Sequence, residues 1–272
     1  MKIGLIQMPV TASKTENIET AADYIAKAVS QGAELVVLPE MFTCISERES
    51  RVRSMESTGG EIWQFLSDTA KKHGIWLVGG SLPETEDGKL YNTCYVFDRK
   101  GCQKAHCRKI HMFDIDVHGG QFYRESDEFT PGQKPVVFET EWGIIGVCIC
   151  FDMRFPLLAL TMARMGAQAI VAPAAFNMTT GPVHWETMFR SRAIDNQLFT
   201  VGVSPARDEL GPYVCYGHSI VCDSWGNVLY QAGADPAVGV VDVNLELNKS
   251  IRQQLPLLSS EREEIYKGCP FF

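Results

Sequence analysis

Residues 143–156 read GIIGVCICFDMRFP. The unbroken apolar run from Ile144 to Cys150 has the pattern of a strand buried on both faces. Pro156 suits the first turn of a helix, because its ring fixes φ and its missing N–H would have no helical partner there. Strand, short turn and helix thus follow one another, with Cys150 at the strand-to-helix turn. Upstream, PVVFE and the turn residues TEWG make this strand the second arm of a hairpin.

The same alternation extends in both directions. Downstream come a helix from Pro156 to about Met165, strand QAIVAPA, helix HWETMFRSRAIDNQ, strand LFTVGVSP and the hairpin HSIVCDSWGNVLYQ. At the N-terminus, KIGLIQM is followed by Ile18, Ala21, Ala22, Ile25, Ala28 and Val29 at helical spacing, then by AELVVLPE. That is a βαβ opening. A second helix carrying Ile62, Phe65, Leu66 and Ala70 stops at Gly74, and strands IWLVGGSL, YNTCYVFD and CQKAHCRKI follow through polar turns. These strands exceed what one sheet holds comfortably. The expected fold class is α/β, with two mixed sheets packed face to face and covered by helices, in one domain spanning residues 1–272.

Composition narrows the partners. The formal net charge of −8 over 272 residues argues against a nucleic-acid partner, which needs a basic face, and favours a small molecule. No apolar stretch is long enough to span a bilayer, and MKIGLIQMPV turns polar too early for a signal peptide, so a cytoplasmic protein with no membrane partner is expected. Nine cysteines without a CxxC pair or His-rich spacing indicate neither a disulfide framework nor a metal site, and no cofactor is expected.

Three residues at strand ends have the chemistry of one site. A thiol at the Cys150 turn meets backbone N–H groups and the positive end of the following helix, which favour thiolate and can hold an oxyanion. Cys148, two residues earlier, lies deeper in the strand. Glu40 ends AELVVLPE and reads either as a solvated strand-end acid or as a general base and acid in apolar surroundings. Lys109 in CRKIHMFD reads either as a surface residue or as a fixed positive charge beside a tetrahedral intermediate. Together they suit hydrolysis of an unactivated amide: thiolate attack, ammonium-assisted oxyanion stabilisation, and a carboxyl group that protonates departing ammonia and then activates water.

LPEMF, CRKIHMFD and CICFDMRFP, in that order, resemble the Glu, Lys and Cys motifs of the nitrilase, or carbon-nitrogen hydrolase, superfamily, and the resemblance covers nearly the whole chain. It implies a four-layer α-β-β-α sandwich that dimerises through its helical layer, with Glu40, Lys109 and Cys150 as catalytic triad. It also implies a second active-site carboxylate, placed at Glu125 by FYRESDEFTPG. FNMTTGPVHWE, RAIDNQ, SPARDELGPYVCYGHS and IRQQLP resemble the omega-amidase branch, which deamidates monoamides of 2-oxodicarboxylic acids, here 2-oxoglutaramate or 2-oxosuccinamate. The chain departs from that branch after Glu40, where MFTCISERESRVRSMESTGGE is shorter and more polar than the branch's tyrosine-bearing loop.

For substrate binding, Arg154 has two open readings: a bidentate partner for a substrate carboxylate, or a structural ion pair with Asp152 or another acid. Phe151 contributes through its backbone N–H. Phe113 and Phe176 are either pocket walls or core, and His111 and His184 have the same ambiguity. Arg192 and Asp195 read as an intra-helix pair. Competing functional readings are a deaminated-glutathione amidase, another aliphatic amidase or an N-carbamoyl hydrolase. From other classes come a non-catalytic interaction protein with this fold and a thiol-redox or metal-binding protein using Cys148 and Cys150.

Overall fold

The computed structural model describes residues 1–118 and 121–266. Its first half supplies β1 (Lys2–Gln7), α1 (Lys14–Ser30), β2 (Leu35–Val37), α2 (Arg48–Ser54), α3 (Glu61–His73), β3 (Trp76–Val78), β4 (Leu82–Glu86), β5 (Lys89–Phe97) and β6 (Gln103–Arg108). A small hairpin, β7 (Asp114–Asp116) and β8 (Phe122–Arg124), bridges to the second half. There follow β9 (Val136–Thr140), β10 (Gly143–Val147), α4 (Pro156–Arg164), β11 (Ala167–Pro173), α5 (Gly181–Asn196), β12 (Phe199–Val203), β13 (Ile220–Cys222), β14 (Val228–Gln231), β15 (Ala237–Asp242) and α6 (Glu246–Gln254).

The strands form two large mixed sheets. One has seven strands in the order β15-β1-β2-β3-β5-β4, with β6 on the other edge of β5; the other has six, β14-β13-β12-β11-β10-β9. In the first, β1, β2 and β3 run parallel, as the βαβ opening requires, and β15 returns antiparallel to β1 with Lys2 opposite Asp242. In the second, β10, β11 and β12 are parallel and the hairpins lie outside them. Side-chain alternation then sorts the core. Val78 and Val96 of the first sheet and Val147 and Val201 of the second belong to one buried cluster, and Trp76 meets Phe138 across the gap at 5.8 Å. The opposite face of the first sheet, with Ile6, Val36 and Leu77, buries Ile25 of α1 and Leu66 of α3. On the far face of the second sheet, α5 packs on β12 and β13 and α4 on β11. The layers are α-β-β-α, the expected fold class.

Local chemistry sets the boundaries. Ser13 caps α1 by accepting the Glu16 N–H at 3.3 Å, and Gly74 ends α3 in the left-handed conformation, φ 63°, which a side chain would resist. IWLVGGSL, read as one strand, divides into β3 and β4 around Gly79–Ser81. The run IIGVCIC leaves regular pairing at Val147, although the Cys148 N–H still donates to Val171 O at 3.2 Å. The sequence reading missed α2, both strands of the β7–β8 hairpin, β15 and α6.

Candidate active site

Four sequence-selected residues meet at one end of the space between the sheets. Glu40 follows β2 through Leu38 and Pro39, Lys109 follows β6, Cys150 follows β10, and Glu125 opens a short turn of 3-10 helix after β8. All are buried: Glu40 is 6%, Lys109 2%, Glu125 5% and Cys150 7% exposed. Burying three charges this deeply requires that they satisfy one another. Lys109 Nζ donates to Glu40 Oε1 at 3.0 Å and to Glu125 Oε1 at 3.0 Å, and lies 2.8 Å from Glu125 Oε2. Burial alone would lower the Lys109 pKa, but the charges of Glu125 and Glu40 outweigh it and hold the ammonium well above its ordinary value.

Asn92 on β5 completes the cluster. Its side-chain NH2 donates to Glu40 Oε1 at 2.9 Å and to Glu125 Oε1 at 3.4 Å, while its backbone carbonyl accepts the Lys109 backbone N–H at 2.9 Å. Glu125 is fixed further by the Phe113 N–H, which donates to Oε2 at 2.7 Å. The turn bearing Glu40 is tight: Met41 has φ 50°, and Gly80, φ 61°, lies where a Cβ would come within 2.3 Å of the Pro39 carbonyl oxygen.

Cys150 is itself in the left-handed region, φ 49°, a conformation that costs a side-chain-bearing residue about 1–3 kcal/mol unless the surroundings impose it. Here they do. Asp152, 1% exposed, accepts hydrogen bonds from Ile149 N at 3.1 Å, His111 N at 2.9 Å, His111 Nδ1 at 2.8 Å and Ile110 N at 3.2 Å, tying the Cys150 turn to the segment after Lys109. The Ala175 N–H donates to Cys150 Sγ at 3.5 Å. The thiol pKa is raised well above normal, first by burial and then by the Glu40 charge, to whose carboxylate the thiol also donates; Lys109 and the Ala175 N–H act in the opposite direction. At rest the sulfur is protonated, in place of the thiolate expected at this turn. Cys148, 2% exposed, belongs to the core between the sheets and is absent from the cavity wall.

A cavity of about 130 Å³ opens over Cys150, room for a small molecule. Glu40, Lys109, Glu125, Cys150 and Asn92 form its floor; Phe113, Tyr123 and Phe129 supply aromatic wall, and Tyr213, whose hydroxyl donates to Ala175 O at 2.7 Å, comes from the loop after β12. Arg51 of α2 also lines it. The other expected binding residues stand elsewhere. Phe176 is 4% exposed and packs edge-on against Trp185 at 5.0 Å, as core, and Phe151 packs against Phe113 and Phe155 at 5.1 and 5.5 Å. Neither ring lines the cavity; the Phe151 backbone N–H, the part expected to contribute, directly follows Cys150 in the chain.

Arg154 does not pair with Asp152, whose oxygens are taken by the four N–H groups above. Its Nη1 lies 2.9 Å from His184 Nδ1, and its guanidinium sits over the rings of Phe176 and Phe151 at 4.8 and 5.6 Å. It is outside the cavity lining, although its charge is felt at Cys150. His111 stacks on Phe155, ring centroids 3.5 Å apart. Arg192 Nη1 lies 3.6 Å from Asp195 as an intra-helix pair, and its Nε also donates to Met153 O at 3.0 Å, bracing the turn after Cys150. The sequence reading missed Asn92, Asp152 as a clasp, Tyr213 and Arg51. The sequence signal for the first was an amide inside an otherwise apolar strand, YNTCYVF, where a buried polar group must have a partner.

A buried thiol, two carboxylates and an ammonium at strand ends of an α-β-β-α sandwich are the equipment of amide hydrolysis. Residues 2–253 match the carbon-nitrogen hydrolase family, and the chain belongs to it. Among its relatives, the omega-amidase NIT2 of Danio rerio and that of Homo sapiens are each 44% identical over 97% of this chain and 96% of their own. The crystal structure of Saccharomyces cerevisiae Nit3, described as a member of branch 10 of the nitrilase superfamily, is 36% identical, covers 97% of this chain and 96% of its own, and superposes with a TM-score of 0.88.

Proposed function

We propose that the protein is a cysteine amidase that hydrolyses the terminal amide of a small carboxylated substrate, as an omega-amidase acting on 2-oxoglutaramate or 2-oxosuccinamate. The observation that carries this reading is the Cys150 thiol facing the Glu40 carboxylate, with Lys109 bound to Glu40 and Glu125 on the same cavity floor. Support for the substrate class comes from the relatives named omega-amidase at 44% identity.

Glu40 accepts the thiol proton as sulfur attacks the amide carbon. The tetrahedral oxyanion is held by Lys109 Nζ and the Phe151 N–H, which begins the turn after Cys150. Glu40 returns the proton to the departing nitrogen, ammonia leaves, and a Cys150 thioester remains. Water, deprotonated by Glu40, then attacks the thioester; the acid product departs and the thiol is restored. Glu125 holds Lys109 in place throughout. No metal or cofactor enters these steps. A homodimer through the α4–α5 layer belongs to the same reading, supported by exposed Leu157, Val183 and Ile194. So does a cytoplasmic location, supported by eight free cysteines among the described residues; no helix there is long and apolar enough to cross a membrane.

The test is ammonia release from 2-oxoglutaramate, 2-oxosuccinamate, deaminated glutathione, an N-carbamoyl amino acid and simple neutral amides. Preference for the first two, without carbon dioxide, is expected. Carbon dioxide alongside ammonia would instead identify a carbamoyl hydrolase.

A further inference from the structure

We propose that Arg51 is the residue that reads the substrate's carboxylate, so that the polar segment after Glu40 sets the specificity of this enzyme. The inference rests on the reading of the site as an amidase for carboxylated amides and adds the group that selects them. Arg51 lies on α2, inside the stretch where the sequence departs from the omega-amidase pattern. Its side chain is 7% exposed, yet it lines the cavity that holds Cys150. Its charge acts on Cys44 and Tyr123 of the same wall, and Tyr123 also feels Lys109 and Glu125, so Arg51 and the catalytic cluster share one field.

Arg51 and Lys109 are the two cations of the lining. Lys109 is already shared between two carboxylates, and a third anion drawn to it would compete with the groups that keep it in place. Arg51 differs. Glu128 takes the Nε and Nη2 side of its fork at 3.1, 2.8 and 2.7 Å, and the Ser46 carbonyl takes one Nη1 hydrogen. A guanidinium has five N–H hydrogens, so one on Nη1 has no acceptor in these contacts. The Glu128 bonds pre-orient the fork, which lowers the cost of ordering it around a ligand. Arg154, by contrast, is bonded to His184, stacked over Phe176 and outside the lining.

The experiment compares kcat/KM of wild type, Arg51→Met, Arg51→Lys and Arg154→Met on 2-oxoglutaramate and on pentanamide, a neutral amide of the same chain length, with circular dichroism to check folding. Arg51→Met is expected to lose about 10- to 150-fold on the anionic amide, the value of a hydrogen bond to a charged group, and about 2-fold or less on pentanamide. Arg51→Lys, which keeps the charge without the fork, should lose an intermediate factor on the anion alone, and it carries the test should Arg51→Met fail to fold. Parallel losses on both amides in the folded variant, or selective loss in Arg154→Met with Arg51→Met unaffected, would overturn the assignment and leave the amidase reading intact. A wild type that releases no ammonia from any carboxylated amide would reject that reading, and this inference with it.

Discussion

In the proposed mechanism Cys150 needs a base before it can attack, because burial and the neighbouring Glu40 carboxylate hold its thiol protonated. Cys150→Ala is therefore expected to abolish ammonia release with the fold retained, whereas Cys148→Ala, in the core and away from the cavity, should remain active. Equal activity of the two would reassign the nucleophile. Glu40→Gln keeps the Lys109 and Asn92 contacts in shape but moves no proton, so steady-state turnover should fall by roughly 100-fold or more. Lys109→Met should lower kcat by a similar order with a smaller change in KM, since an oxyanion exists only in the transition state. The raised thiol pKa has its own signature. Inactivation by iodoacetamide should keep accelerating through pH 9, the ordinary value for a thiol being 9.0; a plateau by pH 8 would contradict the protonated resting state.

At the scale of the element, the site depends on β5 and β6 and on two turns. Thr93 pairs with Arg108 across these strands, and alternation sends Asn92 and Lys109 to the cavity while Thr93 and Arg108 bond Glu84 on the other face at 2.7 and 2.8 Å. The Asp152 clasp joins the Cys150 turn to the Lys109 segment. Asp152→Ala should strip four N–H groups of their buried acceptor, lower the melting temperature, and reduce kcat/KM on anionic and neutral amides alike. A selective loss on the anion would instead make Asp152 part of substrate recognition. These elements also show what a single sequence discloses. Glu40 and Cys150 were legible because each closes an apolar strand, where a charged or reactive group has a local signature; Lys109 follows the polar strand QKAHCR, and its place was carried mainly by the resemblance. Glu125 came through resemblance alone; its surroundings, FYRESDEF, look like a solvated loop, and only the fold brings Lys109 to it. Arg51 had no signal, since a basic residue in a polar run reads as surface until α2 is seen to cover the cavity. Strand β15 was missed for a related reason: its partner, β1, lies at the other end of the chain, and such pairing is decided by the sheet.

Across the molecule, the faces of the first sheet divide two tasks: one closes the inter-sheet core and ends in the cavity, and the other carries helices and, beside β4, a buried charge network. Glu84 is wholly buried there and accepts hydrogen bonds from Thr93, Tyr95, Thr58 and Arg108 and bonds His106 at 3.0 Å. Burial would raise its pKa, but the bonds from His106, Arg108 and Thr93 prevail and hold it far below the ordinary 4.5. A carboxylate whose folded pKa is depressed binds fewer protons folded than unfolded, so its contribution is full above the unfolded value and declines as pH falls below about 4.5. Glu84→Gln should thus be destabilised by about 3 kcal/mol at pH 7, the order found when one member of a buried ion pair is removed. Its deficit relative to wild type should shrink as pH falls from 5 to 3, because the wild type then loses what the variant already lacks. Thermal melts of both proteins across that range test the account. A constant gap between them at every pH would mean that Glu84 stabilises through packing alone, with its charge contributing nothing.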